Sequence, residues 1–216
     1  MYALIHNGAI QVGPRTWAYS FFKEYLDEEG LDSTALPRKD PGGLIVTDSW
    51  KILPVTNINQ PAYNSDFEQL EGPFWTITDT NVTGSYNAVP QTMSMAQGKL
   101  KGKVTNTRYR IENGGAEYTL LDGTTVTIYT AREDRSVYLD AYQVIPDGTD
   151  ILFKFKGNVF KLVAKEELSS IIAAGAAHIQ NSFVWEAGKY AEIDNATTID
   201  ELKLIDIRHP SEVEEE

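Results

Sequence analysis

Three histidines are the residues best suited to acid–base or metal chemistry in this 216-residue chain. Their placement argues against both. His6 falls in a turn, His178 in a helical stretch and His209 near the end of the sequence. No two stand one helical turn apart, as the ligands of a His-Glu-x-x-His zinc helix do. His6 reads as a solvated turn residue. His178, beside an apolar stripe and without a motif partner, reads as a half-buried helix residue rather than a base. The chain has no Gly-x-Ser-x-Gly nucleophile elbow and no Gly-x-x-x-x-Gly-Lys-Ser/Thr phosphate loop. Gly98-Lys99-Leu100-Lys101-Gly102 is too short to be one. Arg132-Glu133-Asp134-Arg135 reads as a charged first helical turn. Paired carboxylates for glycoside hydrolysis meet only in space and leave no sequence signature. Cysteine is absent, which excludes disulfides and thiolate metal sites. No catalytic, cofactor-binding or metal-ligating residue is assigned, and an enzyme ranks last among the readings.

Two groups of residues suit contact rather than chemistry. Tyr63, Phe67, Phe74, Trp75 and Tyr86 cluster in a loop-rich region. Such aromatics build a small core first, a protein interface second and a sugar platform third. Lys99, Lys101, Lys103, Arg108 and Arg110 make the segment Met93 to Glu112 the one basic element of an acidic chain. It is the best candidate for contact with an acidic neighbour or with the acidic face of another copy. A merely solvated charged face is the competing reading of each lysine. The net charge of −12 and pI near 4.7 argue against broad nucleic-acid binding, which needs Lys and Arg against phosphates. The closing run Glu212-Val213-Glu214-Glu215-Glu216 reads as a solvated, frayed tail.

The elements that must carry these groups follow from pattern. Tyr2 to Ile5 and Ala9 to Val12 flank Asn7-Gly8, a hairpin signal, with Gly13-Pro14 as its end. Trp17, Phe21, Phe22, Tyr25 and Leu26 predict a helix from Thr16 to Glu29 whose aromatic face packs under that hairpin. Leu31 to Gly43 is loop. Leu44 to Val46 and Lys51 to Val55 read as short strands around Asp48-Ser49. Asn57 to Asp66 reads as polar turns and Thr80 to Pro90 as loop, with a strand from Phe74 to Thr78 between them.

The later part is more regular. Glu117 to Leu121 and Thr124 to Tyr129 flank an Asp122-Gly123 turn. Thr130 to Glu133 fits a capping box, opening a helix with Val137, Ala141, Tyr142 and Ile145 inward. Ile151 to Phe155 and Val159 to Val163 form a hairpin around Gly157-Asn158. Leu168, Ile172, Gly175, Ile179 and Phe183 then mark an amphipathic helix from Lys165 to Gly188, ~36 Å long. Lys165, Glu166, Glu167, Gln180 and Glu186 fall mostly off its stripe. Thr198 to Glu201 is a second capping box, with Ile199, Leu202 and Ile205 inward.

The fold class expected is α+β. A mostly-β small domain with one helix covers 1–91, and a connecting basic helix covers 92–115. A ββαββα-type domain covers 116–207, its long helix packed on a small antiparallel sheet. An acidic tail covers 208–216. With 42% hydrophobic residues the chain can bury a core. It shows no basic leader, and no apolar run approaches the ~20 residues that span a bilayer. The expectation is a soluble protein made in the cytoplasm.

Several segments also resemble one family in order. They are Arg110-Ile111-Glu112-Asn113-Gly114-Gly115, then Thr125 to Thr130 followed by Ala131-Arg132-Glu133-Asp134-Arg135. After them come Phe153-Lys154-Phe155, Phe160-Lys161-Leu162, His178 to Phe183 with Glu186, and Ile193 to Leu202. The second half resembles a domain of tail-fibre and baseplate proteins of tailed bacteriophages, and Met1 to Ile5 through Gly13-Pro14-Arg15 resembles openings of phage tail proteins. The resemblance implies a virion structural role at the baseplate or fibre-attachment region. It carries no active site and no cofactor. The implied partners are other tail, baseplate or fibre proteins, further copies of the chain being one option, with neither nucleic acid nor membrane insertion. The implied place is the virion tail. The alternatives are a receptor- or glycan-binding module and a tail-fibre assembly chaperone.

Overall fold

The chain is α+β. The computed structural model describes residues 1–39 and 41–212, so the acidic tail beyond Glu212 lies outside the described residues. Two compact units divide the chain, Met1–Gln91 and Thr92–Glu216.

The first unit is a six-stranded curled sheet with one helix. Strand β1 (Tyr2–His6) turns at Asn7-Gly8 into β2 (Ala9–Arg15). Asn7 and Gly8 both have positive φ, 51° and 76°, as a two-residue turn matched to strand twist requires. Gly13-Pro14 does not end β2, contrary to the expectation from sequence; a register irregularity carries the pairing from Leu4↔Val12 on to Tyr2↔Arg15. All of Tyr2, Ala3, Leu4 and Ile5 are buried because β1 is covered on both faces. On one face, Tyr2 and Leu4 pack with Trp50, Ile52 and the helix residues Phe22 and Leu26. On the other, Ala3 and Ile5 pack with Leu53 and Val82. The helix α1 spans Tyr19–Glu28, shorter than the expected Thr16 to Glu29, and it packs against the hairpin by its aromatic face.

Three strands run further than their sequence suggests. After the short β3 (Leu44–Ile45), β4 is Trp50–Asn59, so Asn57 to Asn59 are strand rather than turn. β5 is Glu68–Ile77 and passes through Gly72-Pro73. β6 is Val82–Pro90, in a stretch read as loop. β4 is the pivot: its first half pairs antiparallel with β1, and Val55–Asn59 pairs parallel with β6. His6 is not a solvated turn residue either. It ends β1 with its ring stacked on Trp50, centroids 4.0 Å apart.

The second unit begins with α2 (Met93–Gly114), capped by the Thr92 hydroxyl. The helix packs within this unit, against α4 (Lys165–Asn195). Next come the hairpin β7 (Ala116–Thr119)–β8 (Thr125–Ile128), helix α3 (Arg132–Val144), the hairpin β9 (Asp150–Phe155)–β10 (Val159–Ala164), α4, and the short α5 (Ile199–Lys203). The core joins Val126, Ile128, Tyr138, Phe153, Phe155, Val163, Leu168 and Ile171.

Four local expectations are corrected here. Thr130 is not a helix cap: it is buried, and its hydroxyl accepts the Gly115 N–H at 3.0 Å, while Ala131 stands at the cap position. Gly115 needs that support because it turns the chain at φ 96°, where an added Cβ would stand 2.8 Å from Thr127. The inner face of α3 is Tyr138 with Ala141 and Ile145, while Val137 and Tyr142 are exposed. α4 runs 31 residues, ~46 Å at 1.5 Å per residue, not ending at Gly188. Glu167 is buried in it rather than solvated. The cap at Thr198 forms, its hydroxyl accepting from Glu201 N–H at 3.2 Å. The Glu201 carboxylate returns one residue early, to Thr197.

Candidate functional site

The basic residues of α2 separate into two sets. One side of α2 lies antiparallel along α4 and meets it through a ladder of polar contacts. Gln97 donates to the Ile193 carbonyl at 3.0 Å, and Lys101 pairs with Asp194 at 2.6 Å. Thr105 meets the Tyr190 hydroxyl at 2.5 Å. Arg108 pairs with Glu186 at 3.2 Å and with Glu112. Last, His178 Nε2 meets the Ile111 carbonyl at 2.8 Å. The contacting α2 residues recur every three or four positions, the spacing of one helix face. Lys101 and Arg108 thus serve the fold. Arg108 in particular is enclosed, its side chain only 15% exposed, with its guanidinium 5.0 Å from the Phe183 ring. Lys99, Lys103 and Arg110 are exposed on α2, beside an exposed Tyr109.

The aromatic candidates of the first unit also divide. Phe67 is buried. Trp75 is half-buried, its ring lying across Gly84 of β6. Tyr86 is half-buried, and Tyr63 and Phe74 are exposed. These residues do not form one open aromatic platform.

The more distinctive surface is one that the expected set omits. The two hairpins of the second unit have opposite outer faces. On β7–β8 the residues turned from the core are Glu117, Thr119, Thr125 and Thr127, a solvated face. On β9–β10 they are Leu152, Lys154, Phe160 and Leu162, paired across the strands as Leu162↔Leu152 and Phe160↔Lys154. Leu152, Phe160 and Leu162 are 68%, 56% and 69% exposed. Lys154 lies 6.0 Å from the Phe160 ring. Lys161, on the inner face, pairs with Asp122 at 3.3 Å. The Thr124 hydroxyl and N–H, with Lys161, hold the Asp122 carboxyl below its usual value. The signal was present in sequence: Ile151-Leu152-Phe153 and Phe160-Lys161-Leu162-Val163 put apolar residues on both faces of a two-stranded ribbon.

A second exposed stripe runs along α3, where Glu133, Val137, Asp140 and Val144 recur at four-, three- and four-residue steps. Val137 and Val144 are 60% and 79% exposed. Between α3 and α4 lies an apolar groove of about 230 Å³, floored by Gly175 and Ala176 and edged by Leu139, Phe183 and Arg135. Arg135, on that edge, also pairs with Glu112 at 3.6 Å. Tyr138 borders the same groove, and burial pushes its hydroxyl up to about 12 although it accepts the Tyr129 N–H at 2.9 Å. Among the described residues no group of three His, Asp or Glu is placed to hold a metal. Nor is any described helix long and apolar enough to cross a membrane.

Residues 95–208 match the family model described as a domain of unknown function, DUF4376. The match spans more than half of the chain. The chain belongs to this family. The DUF4376 segment opens inside α2 and closes after α5, so it takes in the α2–α4 ladder, both hairpins and the exposed α3 stripe. No curated protein matches the chain, and no solved structure does.

Proposed function

We propose that this DUF4376 protein is a structural component of a tailed-bacteriophage virion, in the baseplate or fibre-attachment region, and acts by protein–protein assembly. The observation that carries the reading is the apolar outer face of β9–β10. Three large apolar side chains in one contiguous patch, with a polar hairpin beside them, are a surface made to be covered. Assembly needs complementary surface of ~800 Å² per partner for a stable contact. The exposed lysines of α2 supply a second contact of basic character toward acidic tail proteins. The ordered resemblance of the second half to tail-fibre and baseplate proteins adds the setting: synthesis in the host cytoplasm and residence in the virion tail.

The test is protein identification by mass spectrometry on purified, salt-washed phage particles, with copy number measured against a known tail component. Stable presence in multiples of three or six copies is the expected result. Absence from the particle together with abundance in infected-cell lysate overturns the virion reading and moves the protein to the assembly-chaperone class. Reversing Lys99 and Lys103 to Glu is expected to impair incorporation without unfolding the chain.

A further inference from the structure

We infer that the outer face of β9–β10 packs on the same face of a second copy of the chain, as a two-fold dimer in which Asp150 of each copy meets Lys154 of the other. This inference rests on the assembly reading and names one of its partners. The inner face of the ribbon is taken up by the core, where Phe153, Phe155 and Val163 are buried. The outer face carries Asp150, Leu152 and Lys154 along β9, and across from them Ala164, Leu162 and Phe160 along β10. The order along β9 is anion, apolar, cation. The order beside it on β10 is small, medium, large. Asp150 and Lys154 are both exposed and take part in no ion pair among the described residues. Four residues apart on one strand, they stand ~13 Å from each other, too far to pair within a copy.

A face with this order is its own complement. A two-fold axis lying between two such ribbons, at right angles to the strands, turns one ribbon end for end over the other. Asp150 then faces Lys154 at both ends of the contact, and Phe160 faces Ala164 beside each pair. Leu152 and Leu162 meet their own counterparts at the centre. Opposite charges coincide, and the largest side chain stands over the smallest. Sheets packed face to face lie ~10 Å apart, a gap spanned by a lysine opposite an aspartate and by a phenylalanine opposite an alanine. An axis along the strands would instead set Asp150 over Ala164 and Lys154 over Phe160, leaving both charges unmatched. The charges thus fix partner and register more than affinity. Such a contact is isologous and closes at two copies. The patch is of the order of a few hundred Å², below the ~800 Å² per partner of a standard contact, so the free dimer is weak. Copies held side by side in one particle meet at a far higher effective concentration.

The experiment is sedimentation equilibrium on the purified full chain from micromolar to millimolar concentration at low salt. The wild type is expected to pass from monomer to dimer and to stop there. Lys154→Glu and Asp150→Lys, both at exposed positions, are each expected to raise the dimer Kd at least about tenfold, because each sets like charges together at both ends of the contact. Mixed one to one, the two variants are expected to pair about as well as the wild type, since the mixed dimer restores opposite charges at both ends. The doubly reversed chain is expected to regain its own dimer. A wild type that stays monomeric at every concentration, or that grows beyond two copies, overturns the inference. So does a Kd unchanged in both single variants, or a mixture that pairs no better than either variant alone. Virion mass spectrometry tests the assembly reading separately, because a chain found in particles and monomeric alone would sink only this contact.

Discussion

The Glu167 carboxylate, in the first turn of α4, accepts a hydrogen bond from the Leu121 backbone N–H at 2.6 Å. Glu167 is buried, so this one side chain ties the turn of the β7–β8 hairpin to the start of the long helix. Removing it leaves a part-buried amide unpaired, at a cost of ~1–3 kcal/mol. Glu167→Ala is expected to lower the unfolding free energy, read from urea titration, by that amount. Glu167→Gln, which keeps an acceptor oxygen, should recover part of it. Equal stability of Glu167→Ala and the wild type would show that the contact contributes nothing net.

Arg108 holds α2 to α4 through charge. It joins Glu112 and Glu186, two carboxylates whose side chains are 12% and 15% exposed. Loss of the guanidinium strands Glu186 in a poorly solvated seam and leaves Glu112 only the longer contact to Arg135 at 3.6 Å; breaking a buried pair from one side costs ~3–5 kcal/mol. Arg108→Ala should therefore lower the thermal midpoint by many degrees, read by far-ultraviolet circular dichroism. Arg108→Lys should not restore it, because an ammonium cannot span two carboxylates as a planar fork does. Asn106→Ala, at an exposed position on the same helix, is the control and should not lower the midpoint.

Much of this architecture can be read from residue pattern, and the rest fails for identifiable reasons. β1, α1, both later hairpins and the start of α4 show clear periodicity because one or two faces of each are packed with apolar side chains. β6 does not. Its sequence Val82-Thr83-Gly84-Ser85-Tyr86 looks like loop because Gly84 supplies no side chain of its own; the Trp75 ring covers it from the neighbouring strand. The last turns of α4 lose their apolar stripe because Tyr190 and Asp194 are held by polar partners on α2, and those partners lie 85 and 93 residues away. The same separation hides the work of Lys101 and Arg108, which read as surface charge. The apolar outer face of β9–β10 is legible in sequence, since Leu152, Phe160 and Leu162 put apolar residues on the second face of a two-stranded ribbon.

Gly84 gives a direct test of the β5–β6 arrangement. A Cβ there would stand 2.6 Å from Trp75 Cζ3, closer than side chains pack, so the indole ring must leave its place. Gly84→Ala is expected to destabilise the first unit by ~1–3 kcal/mol, the usual cost of overpacking. It should also shift tryptophan emission to longer wavelength as Trp75 meets water. An unchanged spectrum and unchanged stability would mean that the ring has room to move.

Tyr138 makes the alkaline limb of stability specific to one residue. Burial raises its hydroxyl from 10.0 to about 12, so the folded chain keeps the proton that the unfolded chain releases near 10.0. Between those values the unfolded state binds fewer protons, and stability falls as pH rises. Below 10.0 the contribution is fully present, and by about 12 it is gone. The informative quantity is the difference between wild type and Tyr138→Phe. At neutral pH the variant should be weaker by ~1 kcal/mol, having lost the acceptor for the Tyr129 N–H. As pH rises from 10.0 toward about 12 the wild type should lose its advantage and then fall below the variant, because the shift is worth ~1.4 kcal/mol per unit against an advantage of ~1 kcal/mol. Parallel midpoints across that window would mean that Tyr138 ionises alike in the folded and unfolded chains.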